Sequence, residues 1–264
     1  MVLDALAAAG FTPALIVTLP EKKKGRGLSE NKTDVAAWAD SHALPLAHDW
    51  IDFEKGTWDV AIVVDYGKIL PKSLLAIPKK GFLNMHPSLL PRFRGPSPMR
   101  SAILKDERET GVTVMLVDEE MDHGPIVAQK KVPLAEWPLR NSELESILVP
   151  EGGALLARIL PEYIAGDIHP QEQNHDVATY SEKFTKEDGL LDLSDDAYTN
   201  LLKIRAFERW PGTHAFFTRG GKTIRVGILD ADIVNGRLFI HTVKPEGKNQ
   251  MRYEEFLRSG AKPL

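Results

Sequence analysis

The chain has 264 residues, 43% of them hydrophobic, a formal net charge of −4 and a pI near 6.1. That length can bury a core in one large domain or two modest ones, and the mild acidity excludes a strong general affinity for polyanions. The chain has no cysteine, so disulfides and thiolate metal sites are excluded, which fits a cytoplasmic protein. No apolar run approaches the ~20 residues of a membrane span. No basic region precedes the apolar N-terminal stretch, which argues against a signal peptide.

Residues 1–9 read as a helix stopped by Gly10, although no N-cap residue leads into it. Ala14 to Leu19 is a buried apolar strand, and Pro20 to Asn31 is a polar, basic loop containing Lys22-Lys23-Lys24-Gly25-Arg26-Gly27. Thr33 caps a helix running to about Ala43. Val60 to Val64 forms a second apolar strand, ended by Asp65-Tyr66-Gly67, and a short helix follows Pro71. Gly81 to Met85 is a third strand, Ser97 caps a helix to about Lys105, and Gly111–Val117 and Ile126–Val132 are β-rich. A long helix covers Ser142 to Ile164. Strand-helix alternation with continuous apolar strands predicts an α/β fold, a mostly parallel sheet with helices on both faces. From Gly166 to Thr179 the chain turns polar and loses periodicity, as a linker does. Beyond it, a helix near Asp196–Phe207 precedes short strands at Thr213–Thr218, Thr223–Leu229, Ile233-Val234 and Leu238–Thr242, the last two around an Asn235-Gly236 turn. This predicts a small β-rich second domain with a mildly basic balance.

Two blocks carry chemistry. Asn84-Met85-His86-Pro87-Ser88-Leu89-Leu90-Pro91 lies at the C-terminal end of the third strand, where ligands bind in open α/β sheets. Asp122-His123-Gly124-Pro125 lies in the turn between the two β-rich runs. An amide, an imidazole and a carboxylate suit the stabilisation of an oxyanion and the movement of a proton. None of them is an activated nucleophile, so the attacking group belongs to the substrate. Taken singly, an Asn or an Asp before Gly is more often a turn residue and a His more often structural. His86, Asp122 and His123 also have the ligand types of a metal site.

The Asn84 through Gly95 block, Asp122-His123-Gly124 and Tyr66-Gly67-Lys68-Ile69-Leu70-Pro71 resemble the family of 10-formyltetrahydrofolate-dependent formyltransferases. Tyr180-Ser181-Glu182-Lys183, Arg205 through Gly212 and Pro245 through Met251 extend the resemblance over nearly the whole chain and favour the tRNA-directed branch. The resemblance implies a Rossmann-like catalytic domain over residues 1–166, a linker over 167–179 and an OB-like β-barrel that binds tRNA over 180–264. It implies a monomeric cytoplasmic enzyme that uses 10-formyltetrahydrofolate, without a metal, to formylate methionyl initiator tRNA.

In that reading Asn84 donates to the formyl oxygen, His86 adds a hydrogen bond or helps carry the proton, and Asp122 orients His86 and relays the proton. Ser88, Leu89, Leu90 and Pro91 line the folate pocket together with Tyr66, Gly67, Ile69 and Leu70. Lys24 and Arg26 of the basic loop meet the acceptor end, where a guanidinium fork suits phosphate and base edges. Arg92 and Arg94 are open between acceptor-stem contact and a structural role. Lys203, Arg205, Arg225, Lys248 and Arg252 offer a phosphate-contacting face, and Trp210 reads as a packed turn residue.

The family's first strand and its Phe-Gly-Thr loop have no counterpart here, so Met1 falls inside the first helix. The domain is therefore expected to be incomplete at its N-terminus, with two exposed strand edges. Either the reading frame starts further upstream, which the uncapped helix favours, or the chain is truncated. Two other functions stay open: formylation of a small acceptor such as a nucleotide sugar, and binding without catalysis.

Overall fold

The computed structural model describes residues 2–20, 22–24 and 29–264. Its first elements are α1 (Val2–Ala8), β1 (Ile16–Val17), β2 (Lys22–Lys24), β3 (Ser29–Asn31), α2 (Asp34–Ser41) and β4 (Leu46–Ala47). They are followed by α3 (Ile51–Lys55), β5 (Ala61–Val63), α4 (Lys72–Leu75), β6 (Phe82–His86), α5 (Pro98–Leu104), β7 (Thr110–Leu116), β8 (Ile126–Val132) and α6 (Asn141–Ala165). The C-terminal part holds α7 (Ala197–Ala206), β9 (Thr213–Arg219), β10 (Lys222–Val234), β11 (Arg237–Pro245), β12 (Met251–Arg252), α8 (Tyr253–Arg258) and β13 (Lys262–Pro263). The chain divides into two compact units. One runs from the N-terminus to His86 and adds Val112–Lys130 and Val149–Asp176; the other combines Pro87–Gly111, Lys131–Leu148 and Val177–Leu264.

In the first unit, α1 buries Val2 and Leu6, and α2 is capped by Thr33, whose Oγ1 accepts from Ala36 N at 3.1 Å. Ile16, Trp38 and Ala39 form a small core with Leu3, Ala7 and Leu46, and Trp38 Nε1 donates to Asp4 at 2.8 Å. A second core joins Phe53, Leu70, Leu74 and Phe82, flanked by Val17, Trp50, Ala61 and Val63. Side chains alternate across a strand. Phe82 of β6 therefore faces α3 and α4, while Met85 points the other way. There Gly152 of α6 comes so close that a Cβ on it would lie 2.5 Å from the Met85 sulfur. Helices thus cover both faces of β6, as expected.

The expected parallel pairing is present, with an antiparallel pair beside it. β1 pairs with β4 and β5 with β6 in parallel, but β6 and β7 run antiparallel, with Leu83 opposite Leu116 and His86 opposite Thr113. Apolar runs report burial, and burial carries no sign of direction. Among the described residues β1 pairs only with β4, and β5 only with β6. Each therefore has an unpaired edge, and Val17 and Val63 pack on one shared core. Two parts of the basic loop are paired. β2 and β3 form an antiparallel hairpin with Lys22 opposite Asn31 and Lys24 opposite Ser29. A polar sequence hides such pairing because backbone groups alone make it.

In the second unit, five strands form an antiparallel sheet in the order β12-β11-β10-β9-β13. Ile204, Phe217, Val226, Ile228, Val243 and Phe256 fill its core. The two strands expected at Thr223–Leu229 and Ile233-Val234 are one continuous β10, whose register shifts on either side of Asp230. Such a bulge bends a strand without ending it. The Asn235-Gly236 turn is as expected, with φ of 52° and 73°. α7 is capped by Asp196, which accepts from Thr199 N at 2.8 Å. Asp106 accepts from Trp137 Nε1 at 2.6 Å and Tyr198 OH at 2.7 Å, and Arg140 pairs with Asp230.

His214 on β9 is buried, and its Nδ1 finds no partner among the described residues. Burial, then the Arg225 charge, hold its pKa below the ordinary 6.5. The unfolded chain thus binds this proton more readily than the folded one. The His214 contribution is fully present above the unfolded pKa and is lost as pH falls below about 6.5 and through the lower pKa of the folded state. Melting temperature is expected to fall from about pH 7.5 to pH 5, and His214→Gln to flatten that dependence.

Candidate active site

Three side chains converge at the C-terminal end of β6 in the first unit. Asn84 and His86 are two apart on the strand and share its face. Asn84 is half-buried, its backbone held between Val63 of β5 and Met115 of β7. His86 is buried. Asp122 arrives from the turn joining β7 to β8, at a φ of 51° that an aspartate tolerates better than most residues. Its Oδ1 lies 3.4 Å from Asn84 Nδ2, and its Oδ2 lies 3.6 Å from His86 Nδ1. One carboxylate therefore spans the amide and the imidazole. Its side chain is 15% exposed and that of His86 5%, so charge acts here in a poorly screened setting. A contact of 3.6 Å is long for a hydrogen bond, and catalytic hydrogen bonds commonly tighten along the reaction.

His123 takes a different direction from Asp122. Its Nδ1 meets Asp118 Oδ2 at 2.7 Å, and its ring stacks on His175 with centroids 4.1 Å apart. The three residues with metal-ligand side chains, His86, Asp122 and His123, thus serve two separate contacts. Among the described residues no three His, Asp or Glu side chains are grouped to hold an ion.

The expected folate-lining residues fall into two groups. In the first unit, Tyr66 packs edge-on against Trp50 at 5.2 Å, and Gly67 takes a φ of 71° that favours glycine. Ile69 is 76% exposed, whereas Leu70 is buried in the Phe53 core. Leu70 therefore supports the segment from beneath, and Ile69 presents it. In the second unit, Ser88 is buried and donates from Oγ to Arg92 O at 2.6 Å, closing the turn that carries Leu89, Leu90 and Pro91. Leu90 is buried, while Leu89 and Pro91 keep partial exposure. The loop is pinned where Arg94 N donates to Thr179 O at 2.9 Å and Ser181 N to Arg94 O at 2.7 Å. Arg94 is only 2% exposed, which decides its open role in favour of structure. Arg92 pairs with Glu107.

Arg26 lies outside the described residues; the backbone of Lys24 belongs to β2. Of the basic residues in the second unit, Arg225, Lys248 and Arg252 are exposed, while Arg205 is engaged by Asp232 at 2.6 Å. Trp210 is 46% exposed with the Arg100 guanidinium over its ring, so it is less packed than expected. The polar stretch read as a linker is anchored: Gln171 and Ile126 exchange two backbone hydrogen bonds, at 2.7 and 2.8 Å. Nothing in a polar, aperiodic sequence announces such a contact.

An α/β sheet with an amide, an imidazole and a carboxylate at one strand end holds the kinds of group that acyl transfer uses. Residues 2–158 match the family described as formyl transferase, and the chain belongs to it. It is 38% identical to the methionyl-tRNA formyltransferase of Chloroflexus aurantiacus over 88% of this chain and 78% of that one. It is likewise 38% identical to that of Deinococcus radiodurans, over 94% and 85%. Among solved structures, an N-formyltransferase from Helicobacter canadensis in complex with folinic acid and dTDP-3-aminofucose superimposes with a TM-score of 0.65. That match covers 89% of this chain and 83% of the other at 18% identity, so it speaks to the fold alone.

Proposed function

We propose that this chain transfers the formyl group of 10-formyltetrahydrofolate to the amino group of methionyl initiator tRNA. The observation that carries the chemistry is the Asp122 carboxylate placed between Asn84 Nδ2 and His86 Nδ1. The choice of acceptor rests on the identity with methionyl-tRNA formyltransferases, which runs through both units. The methionyl nitrogen attacks the formyl carbon, and the carbonyl π pair moves onto oxygen. Asn84 donates to that oxyanion, and such a donor is typically worth ~10²–10³ in rate. Asp122 accepts the proton leaving the nitrogen, with His86 holding the carboxylate and adding a second donor. The oxyanion then collapses, the carbon–N10 bond breaks, and N10 receives a proton. Every group has its protonation restored at the end of the cycle.

In this reading the folate-binding residues are Tyr66, Gly67, Ile69 and Leu70 together with Ser88, Leu89, Leu90 and Pro91. Lys24 and Arg26 meet the acceptor end, and Arg225, Lys248 and Arg252 of the second unit offer charge to phosphates. The five-stranded sheet, bent at the Asp230 bulge, is consistent with a small OB-like barrel as the tRNA module.

The test is formation of formylmethionine from 10-formyltetrahydrofolate and methionyl initiator tRNA, with a dTDP-amino sugar as the competing acceptor. It is run on this chain and on a version extended upstream by its genomic sequence. Formyl transfer to the charged tRNA is expected. Transfer to the sugar alone would overturn the acceptor, and folate and tRNA binding without turnover in both versions would overturn catalysis.

A further inference from the structure

Gln173 lies in the polar stretch after α6, 4% exposed, far along the chain from the catalytic turn. Its Nε2 donates to two backbone carbonyls, Asp122 O at 2.9 Å and Gly124 O at 2.8 Å. Both partners are acceptors, so the nitrogen end of the amide must face them. A carboxamide nitrogen carries two protons and no charge, which matches two carbonyls, one buried and one part-buried. A lysine would bury an ion there, and a glutamate has nothing to donate. Two residues earlier, Gln171 pairs its backbone with Ile126, just beyond the same turn. The segment thus grips the turn at 122, 124 and 126. Asp122 itself has a φ of 51°, a conformation that persists where its surroundings over-determine it.

We infer that Gln173 is a positioning residue for the reaction, resting on the function proposed above. Its amide locks the Asp122–Gly124 backbone in the left-handed turn that aims the Asp122 carboxylate at Asn84 and His86. Asp118 and the stacked His123 and His175 stand beside the turn, with His123 Nδ1 meeting Asp118 Oδ2. A misplacement of about 1 Å in such a group costs on the order of 10²-fold in rate.

The experiment combines kinetics with crystallography. Gln173→Met keeps the shape and removes the donors; Gln173→Glu keeps the shape and offers only acceptors. Each is expected to lower kcat ~10–10²-fold with KM for folate and tRNA nearly unchanged. In an Asp122→Asn background, assayed at high enzyme concentration, the same changes should cost under about 2-fold, because Gln173 acts through Asp122. Equal losses in both backgrounds, or none in the first, would overturn the inference. Crystal structures of the wild type and Gln173→Met give a reading independent of any acceptor. A carboxylate displaced from Asn84 and His86 supports the inference even if the acceptor is misassigned, and an unmoved one overturns it.

Discussion

Asn84→Ala is expected to lower kcat ~10²–10³-fold while leaving a folded protein. The residue sits in the middle of a three-strand ladder, opposite Val63 and Met115, so the backbone at this position is held whatever the side chain. In the proposed reaction, what disappears is the amide that donates to the formyl oxygen as it gains charge. A donor used only as charge develops contributes to kcat more than to KM. Asn84→Asp is the sharper control. It has the same shape, yet it turns a donor into an acceptor and places a second carboxylate about 3.4 Å from Asp122. Like charges so close in a poorly screened site oppose one another, so Asn84→Asp should be at least as slow as Asn84→Ala. Steady-state kinetics with methionyl initiator tRNA, beside a thermal melt of each variant, decides the matter. A kcat within about 3-fold of wild type for Asn84→Ala would remove Asn84 from the mechanism.

Gly124→Ala is the second large expectation, and it is steric. A Cβ at Gly124 would lie 2.1 Å from the backbone oxygen of Leu116 and 3.1 Å from its carbon. The obstacle cannot swing aside as a side chain would. Leu116 is ladder-paired with Leu83, and its N–H donates to Pro125 O at 2.9 Å. The turn must therefore move, and with it Asp122 and the two carbonyls that Gln173 holds. Overpacking of this kind costs ~1–3 kcal/mol, a drop of several degrees in melting temperature for a chain of this size. The displaced carboxylate adds a rate loss of ~10²-fold. Melting and kinetics measured on one preparation test both parts. A variant that melts and turns over like the wild type would show that β7 yields more readily than its pairing suggests.

Much of this was legible in the residues themselves. Asn84 and His86 stand two apart in an apolar strand, and a side-chain period of two is enough to place them on one face. Asp122 before Gly124 and Pro125 marks a turn, Asn235-Gly236 marks another, and apolar runs separated by helical patterns announce a layered α/β unit. These signals are local, because they arise from side-chain period and backbone conformation within a few residues. The local signal misleads at β10, where a bulge at Asp230 resembles a strand end, and at the β2–β3 pair, whose backbone register leaves no mark in the pattern of residue types.

The tertiary structure decided what depends on distant partners. It brought Asp122 to Asn84 and His86, turned His123 away toward Asp118, and buried Arg94 where sequence left its role open. It also gave β6 and β7 opposite directions, which no pattern of apolar residues encodes. Gln173 is the clearest case. In the sequence it is one glutamine in a polar stretch; in the fold its two protons meet two carbonyls of the catalytic turn. Composition and period determine which residues are buried and which face they share. The pairing of donors with acceptors far apart in the chain emerges only when the backbone is folded, because a hydrogen bond depends on distance and direction in space.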